Sequence, residues 1–234
     1  MKMKDKRAVQ SELRKKHRQQ LKANRRKEPN LDRHGPHLQE KPTILIVCEG
    51  ENTELSYFKQ FRLSSATIKP VGEGYNTTSL VNRAAELASQ GSYEQVWCVF
   101  DKDDFSDVDF NNAISMAEGY DFKVAYSNQA FDYWIILHFQ DHQGGGMHRD
   151  DYHEKINALL RPYQVTYDGR GSKIITEAIF ELLEGIDEQT NKERKVLAIT
   201  RAKRNLQYFD GINPAREEST TTVYKLVEEL LKYV

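Results

Sequence analysis

The first forty or so positions of the chain are almost all polar, and only after Pro42 do apolar residues gather into runs. Residues 44–48, Ile-Leu-Ile-Val-Cys, have no polar face. Such a run predicts a strand buried on both sides of a parallel sheet. A second run at 95–100 predicts another strand, and further strands are expected at 67–71, before a turn at 72–76, and at 123–126. Helical spacing fills the gaps. Leu55, Tyr57, Phe58 and Phe61 predict a helix over 54–63. Leu80, Val81, Ala84, Leu87 and Ala88 predict one over 79–89, with Gly91 as its C-cap. Helices are also expected at 109–118 and 131–139. This alternation of strand and helix implies an α/β fold, a parallel sheet with helices on both faces.

The pattern changes beyond residue 140. A polar loop rich in Gly and His at 142–152 is followed by helical spacing at 151–160, 173–183, 193–208 and 222–233. Three regions result: a basic arm at 1–41, a sheet-forming catalytic domain at 42–140, and a helical region at 141–234 packed on it.

Charge sharpens the division. Residues 1–41 hold 14 Lys and Arg against 5 Asp and Glu, leaving 20 against 30 for the rest of a chain whose net charge is −1. A disordered basic arm, including Arg25, Arg26 and Lys27, thus precedes an acidic body. Such an arm suits a polyanionic partner, usually nucleic acid, though a solubilising tail reads the same way. Cys48 and Cys98 lie inside apolar runs and read as buried thiols, in keeping with a reducing cytoplasm. No stretch is apolar enough to span a membrane, and the start has no signal-peptide core, so a cytoplasmic protein is expected. Oligomeric state, homo-oligomers included, is left open.

The chemistry lies where the strands end. Glu49 follows the first run, and Asp101 and Asp103 follow the third. Carboxylates just past the carboxyl ends of parallel strands stand in the crevice where such sheets bind ligands. Three converging anions call for a hard cation such as Mg²⁺ or Mn²⁺. The plainer alternative is that these acids cap the following helices. Glu54 is a further candidate metal ligand, although a helix N-terminus stabilises a carboxylate anyway. Gly50 allows close backbone approach to a phosphate, or simply a tight turn. Asn128 is placed to bond phosphate or cap a helix, and Arg201, Lys203 and Arg204 to contact phosphates or form a solvated face. Trp134 and Phe139 read as core. His138, His142, His148 and His153 have no zinc spacing with cysteine and read as parts of a solvated loop. There is no G-x-S-x-G elbow and no Walker A loop.

A strand ending in Glu49-Gly50 and a later strand ending in Asp101-Lys102-Asp103 resemble the Toprim fold of topoisomerases, bacterial primases and overcoming-lysogenization-defect nucleases. The chain more closely resembles the RloB-like family of bacterial phage-defence proteins. The resemblance is carried by the basic start, ILIVCEGENTELSY at 44–57, WCVFDKDDF at 97–105, YSNQAFDYWIILHF at 126–139 and the segment 213–230 with STTTVYKLVEEL. Three departures stand out. Gln129 replaces a usual Pro, and Asp132 a usual Glu, one methylene shorter; the Asn-Pro-Ser-Thr run is split between Asn213-Pro214 and Ser219-Thr220.

The resemblance implies a Toprim-like sheet and a metal-dependent nuclease acting on DNA, tRNA or other RNA, with Glu49, Asp101 and Asp103 as catalytic metal ligands joined by Glu54 and Asp132. It implies an effector of abortive infection, held by an ABC-type ATPase sensor. Two other readings keep the fold: a non-catalytic adaptor that binds nucleic acid or the ATPase, and a primase-type nucleotidyl transferase.

Overall fold

A computed structural model of the chain describes residues 42–70, 77–142 and 145–234, together with isolated helical positions Glu12, Lys15, Lys16 and Gln19, whose side chains are exposed. Arg25, Arg26, Lys27, Gly144 and the expected turn at 72–76 lie outside the described residues. The chain divides into two compact units, Met1–Glu40 and Lys41–Val234. All that follows concerns the second.

Four parallel strands form its sheet: β1 (Ile44–Cys48), β2 (Ala66–Pro70), β3 (Gln95–Asp101) and β4 (Lys123–Ser127), in the order β2-β1-β3-β4. Every residue of β1 is buried, as a strand with helices on both faces requires. Side chains alternate across the sheet. Leu45, Val47, Val96, Cys98 and Phe100 point to one face and pack on helices α2 (Thr77–Ser89) and α3 (Asp107–Gly119) through Leu80, Val81, Ala84, Phe110, Ala113 and Ala117. Ile44, Ile46, Cys48, Trp97, Val99 and Ala125 point to the other.

That second face carries the larger core. It is built on α1 (Thr53–Lys59), α4 (Asp132–Phe139), α5 (Tyr152–Leu160), α6 (Glu177–Glu184), α7 (Arg194–Leu206) and α8 (Val223–Leu230). Helix α4 is apolar on every side, and residues 133–138 are all buried because α5, α6 and α7 surround it. Trp134 is wholly buried and Phe139 packs against the same core. The expected α/β fold with a helical C-terminal region is therefore the observed one. Among the described residues, no helix is long and apolar enough to cross a membrane.

The segment after Asn213 has a specific task. The Thr222 N–H donates to the Tyr126 carbonyl at 2.7 Å, and the Asn128 N–H donates to the Thr220 carbonyl at 2.8 Å. Thr222 Oγ1 accepts from the Tyr126 N–H at 2.8 Å. Residues 220–222 thus lie antiparallel on β4 and cover an edge that would otherwise be open.

Several boundaries differ from the sequence expectation. The helix expected over 54–63 ends at Lys59, and Arg62 has a φ of 53°. The helix expected over 173–183 begins only at Glu177, where Thr176 Oγ1 accepts from the Ile179 N–H at 3.3 Å; Lys173, with a φ of 52°, belongs to a turn. A small hairpin, β5 (Ile186–Asp187) with β6 (Lys192–Glu193), sets the start of α7.

Candidate metal and phosphate site

The parallel register sets the site. Strand β1 pairs directly with β3, so the turn after Cys48 and the end of β3 lie side by side. Glu49 Oε2 accepts from the Asp101 N–H at 3.2 Å, and Asp101 Oδ2 accepts from the Phe131 N–H at 2.9 Å. Each carboxylate is thereby fixed by the backbone of a different element. Helix α1 starts just beyond β1 and brings buried Glu54 into the same crevice. Gly50 makes room for it, since a Cβ there would collide with the Glu54 carboxylate. Asp132, in the first turn of α4, completes the group, and Tyr167 OH donates to its Oδ1 at 2.8 Å.

These four carboxylates line one open cavity of about 780 Å³. Burial raises the pKa of Glu49 to about 7, and the nearby Glu54 adds to the effect. Burial and the charge of Asp132 likewise raise Glu54 to about 7. Asp101 is raised well above the usual carboxylate range by burial, then by Glu54 and Glu49. Burial also raises Asp132, against the Tyr167 hydrogen bond and Lys173. Burial is thus the main reason these four carboxylates ionise less readily than free ones.

Asp103 behaves differently. It lines the same cavity, at a φ of 41°, but its carboxylate is ion-paired with Arg149. Arg149 belongs to a short 3₁₀ turn, Arg149–Asp151, leading into α5. His153, on the first turn of α5, and Arg170 and Lys173 also line the cavity. The last two sit on a tight turn in which the Ser172 N–H donates to Asp168 Oδ2 at 2.8 Å and the Lys173 N–H to the Asp168 carbonyl at 2.9 Å. The pocket thus has an acidic wall from the sheet and a basic wall from the helical region. Nothing in the sequence separates these four basic residues from ordinary loop charges; only the fold brings them opposite the carboxylates.

The other candidates lie elsewhere. Asn128 is buried and donates through Nδ2 to the Pro214 carbonyl at 2.8 Å, so it ties β4 to the covering segment instead of reaching the cavity. Arg201 donates to the Leu137 carbonyl at 2.7 Å, Lys203 pairs with Glu228 at 2.6 Å, and Arg204 grips Asp141 through Nη1 at 2.9 Å. None of these three lines the pocket; they fasten α7 to its neighbours. The histidines do not form one solvated loop. His138 is fully buried with its Nδ1 2.9 Å from the Trp134 carbonyl oxygen, and burial lowers its pKa to about 3, which keeps it neutral. His142 meets Tyr133 OH at 2.9 Å, and only His148 is largely exposed.

Carboxylate oxygens are the donors a hard dication takes. Among the described residues, no three His, Cys, Asp or Glu side chains stand close enough to share one ion. Any divalent ion here would be held by one or two carboxylates, with water in its remaining positions.

A parallel sheet whose strand ends gather acids in a crevice defines an α/β protein with a ligand site at the carboxyl edge of its strands. The model of the RloB-like protein family matches residues 44–230, most of the chain, and the protein belongs to that family. No curated protein and no solved structure matches it.

Proposed function

We propose that the protein is a metal-dependent nuclease that hydrolyses phosphodiester bonds in DNA or RNA, tRNA included. The observation that carries this reading is the set of buried carboxylates, Glu49, Glu54, Asp101 and Asp132, lining one cavity with Arg149, Arg170 and Lys173. Asp101 would hold Mg²⁺ or Mn²⁺, with Glu54 and Asp132 supporting it. When bound, the ion would neutralise charge on the scissile phosphate and activate a water. On this reading the residues of the chain divide the remaining work. Arg149, Arg170 and Lys173 draw in and orient the phosphates. Glu49, held by the Asp101 N–H, takes up the proton of the attacking water. Membership of the RloB-like family extends the proposal to an effector of abortive infection against phage, controlled by an ABC-type ATPase.

The test is cleavage of plasmid DNA, single-stranded DNA and total tRNA by the purified protein with Mg²⁺ or Mn²⁺, beside Asp101→Ala. Metal-dependent products that disappear in the variant support the reading. Silence on every substrate, with an activated ATPase partner also present, would reject it. One observation favours a second reading, a non-catalytic adaptor: Asp103 is paired with Arg149, and no three-ligand cluster is preformed among the described residues. Metal-dependent binding of nucleic acid without turnover would support it.

A further inference from the structure

One aromatic residue lining the cavity belongs to no apolar core among the described residues. Phe105 lines it two residues beyond Asp103, at the end of the acidic turn after β3. It is half-buried, belongs to neither apolar core, and takes part in no ring pair among the described residues. Its backbone, by contrast, is held: the Phe105 N–H donates to the Lys102 carbonyl at 3.1 Å, and Lys102 Nζ donates back to the Phe105 carbonyl. A hydrogen-bonded main chain therefore carries a ring that neither apolar core takes up among the described residues. Around the same cavity stand Arg149, Arg170 and Lys173, which suit phosphate oxygens.

The size of the space limits what can use both. A cavity of about 780 Å³ falls in the range of small-ligand pockets, roughly 300–1,000 Å³. Its volume suits a nucleotide or two. Bases are free to stack on a side chain only where they are unpaired or turned out of the helix.

We infer that the substrate enters as an unpaired strand, with one base stacked on Phe105 and its phosphate between the basic and acidic walls. The inference rests on the reading of the cavity as a phosphodiester site, though not on turnover. Recognition of this kind tolerates any base, because every base has a π-face. It selects for loops, overhangs and single strands over continuous duplex.

The experiment is fluorescence anisotropy at fixed salt with Ca²⁺. It uses the full chain and labelled twelve-nucleotide oligo-dT, oligo-U and a duplex of the same length. Tighter binding of the single strands is expected. Phe105→Ala should weaken that binding about five- to a hundredfold, the range for loss of one base–aromatic stack, while leaving duplex binding unchanged. Phe105→Trp should restore it, and thermal melts should match the parent for both variants. Equal binding of duplex and single strand, or a neutral Phe105→Ala, overturns the inference and leaves Asp101-dependent cleavage standing. Phe105-dependent binding without cleavage by the parent protein keeps the inference and removes the nuclease. No binding of any oligonucleotide overturns it as well.

Discussion

The hydroxyl of Tyr167 donates to Asp132 at 2.8 Å and lies 3.3 Å from Thr53 Oγ1, so one buried phenol joins the helical region to the first turns of both α4 and α1. The Tyr167 backbone is held separately, since its N–H donates to Asn157 Oδ1 at 2.9 Å and its carbonyl accepts from Asn157 Nδ2 at 2.8 Å. Tyr167→Phe should therefore keep the chain path and release Asp132 and Thr53. The expected cost is about 1–3 kcal/mol of stability, as for a hydrogen bond to a charged group. Urea unfolding should detect it. Mn²⁺ affinity should fall at the same time, and an unchanged affinity would separate Asp132 from the metal.

The raised carboxylates fix the sign of a pH effect. Their folded pKa values exceed the unfolded ones, so the unfolded chain releases protons first as pH rises. Their contribution to stability is full below the unfolded values, near pH 4, and is lost as pH climbs through about 7. Without metal, the protein should melt at a lower temperature at pH 8 than at pH 5.5. Asp101→Asn should reduce that difference and melt above the parent at pH 8. Mg²⁺ should raise the parent's melting temperature more at pH 8 than at pH 5.5. Calorimetry with and without EDTA checks all three.

Arg149 occupies the carboxylate of Asp103 in an ion pair. The pair is partly exposed, so Arg149→Ala should cost stability little, about 0–1 kcal/mol. Two binding effects of opposite sign are expected. With Asp103 released, Mn²⁺ should bind several-fold more tightly by titration calorimetry, while single-stranded nucleic acid should bind more weakly for want of a phosphate contact. Weaker binding of both would show that Arg149 organises the pocket instead of restraining Asp103.

The covering segment makes a prediction of its own. Thr222→Val preserves shape but leaves the buried Tyr126 N–H without its acceptor. The expected loss is about 1–3 kcal/mol by denaturant titration. Thr222→Ser should recover most of it.

Much of this was legible in the chain. The apolar runs of β1 and β3 announce a buried parallel sheet, and the abrupt change to Glu49 and Asp101 marks its carboxyl edge. What the sequence lacks is strand order, and it is the direct pairing of β1 with β3 that sets Glu49 against the Asp101 N–H. Arg149, Arg170 and Lys173 were not legible because loop cations look alike until a fold aims them. The reverse holds for Arg201, Lys203 and Arg204. Their spacing suggests a contact face, yet each finds a partner within the body, in the Leu137 carbonyl, Glu228 and Asp141. Asn128 misled in the same way, for a polar residue just past a strand reads as a ligand contact when its bond is to the Pro214 carbonyl.

The covering segment reaches further than the sheet edge. Ser219 Oγ accepts from the Met147 N–H at 2.9 Å, two residues before Arg149. A polypeptide emerging from the ribosome has all four carboxylates outside long before residues 219–222 exist to clasp β4 and anchor the turn of Arg149. Until then the acidic wall faces a strand with a bare edge and an untethered basic rim. The pocket is thus among the last parts of this body to be finished, and a chain interrupted before Ser219 would carry the acids without the frame that aims them.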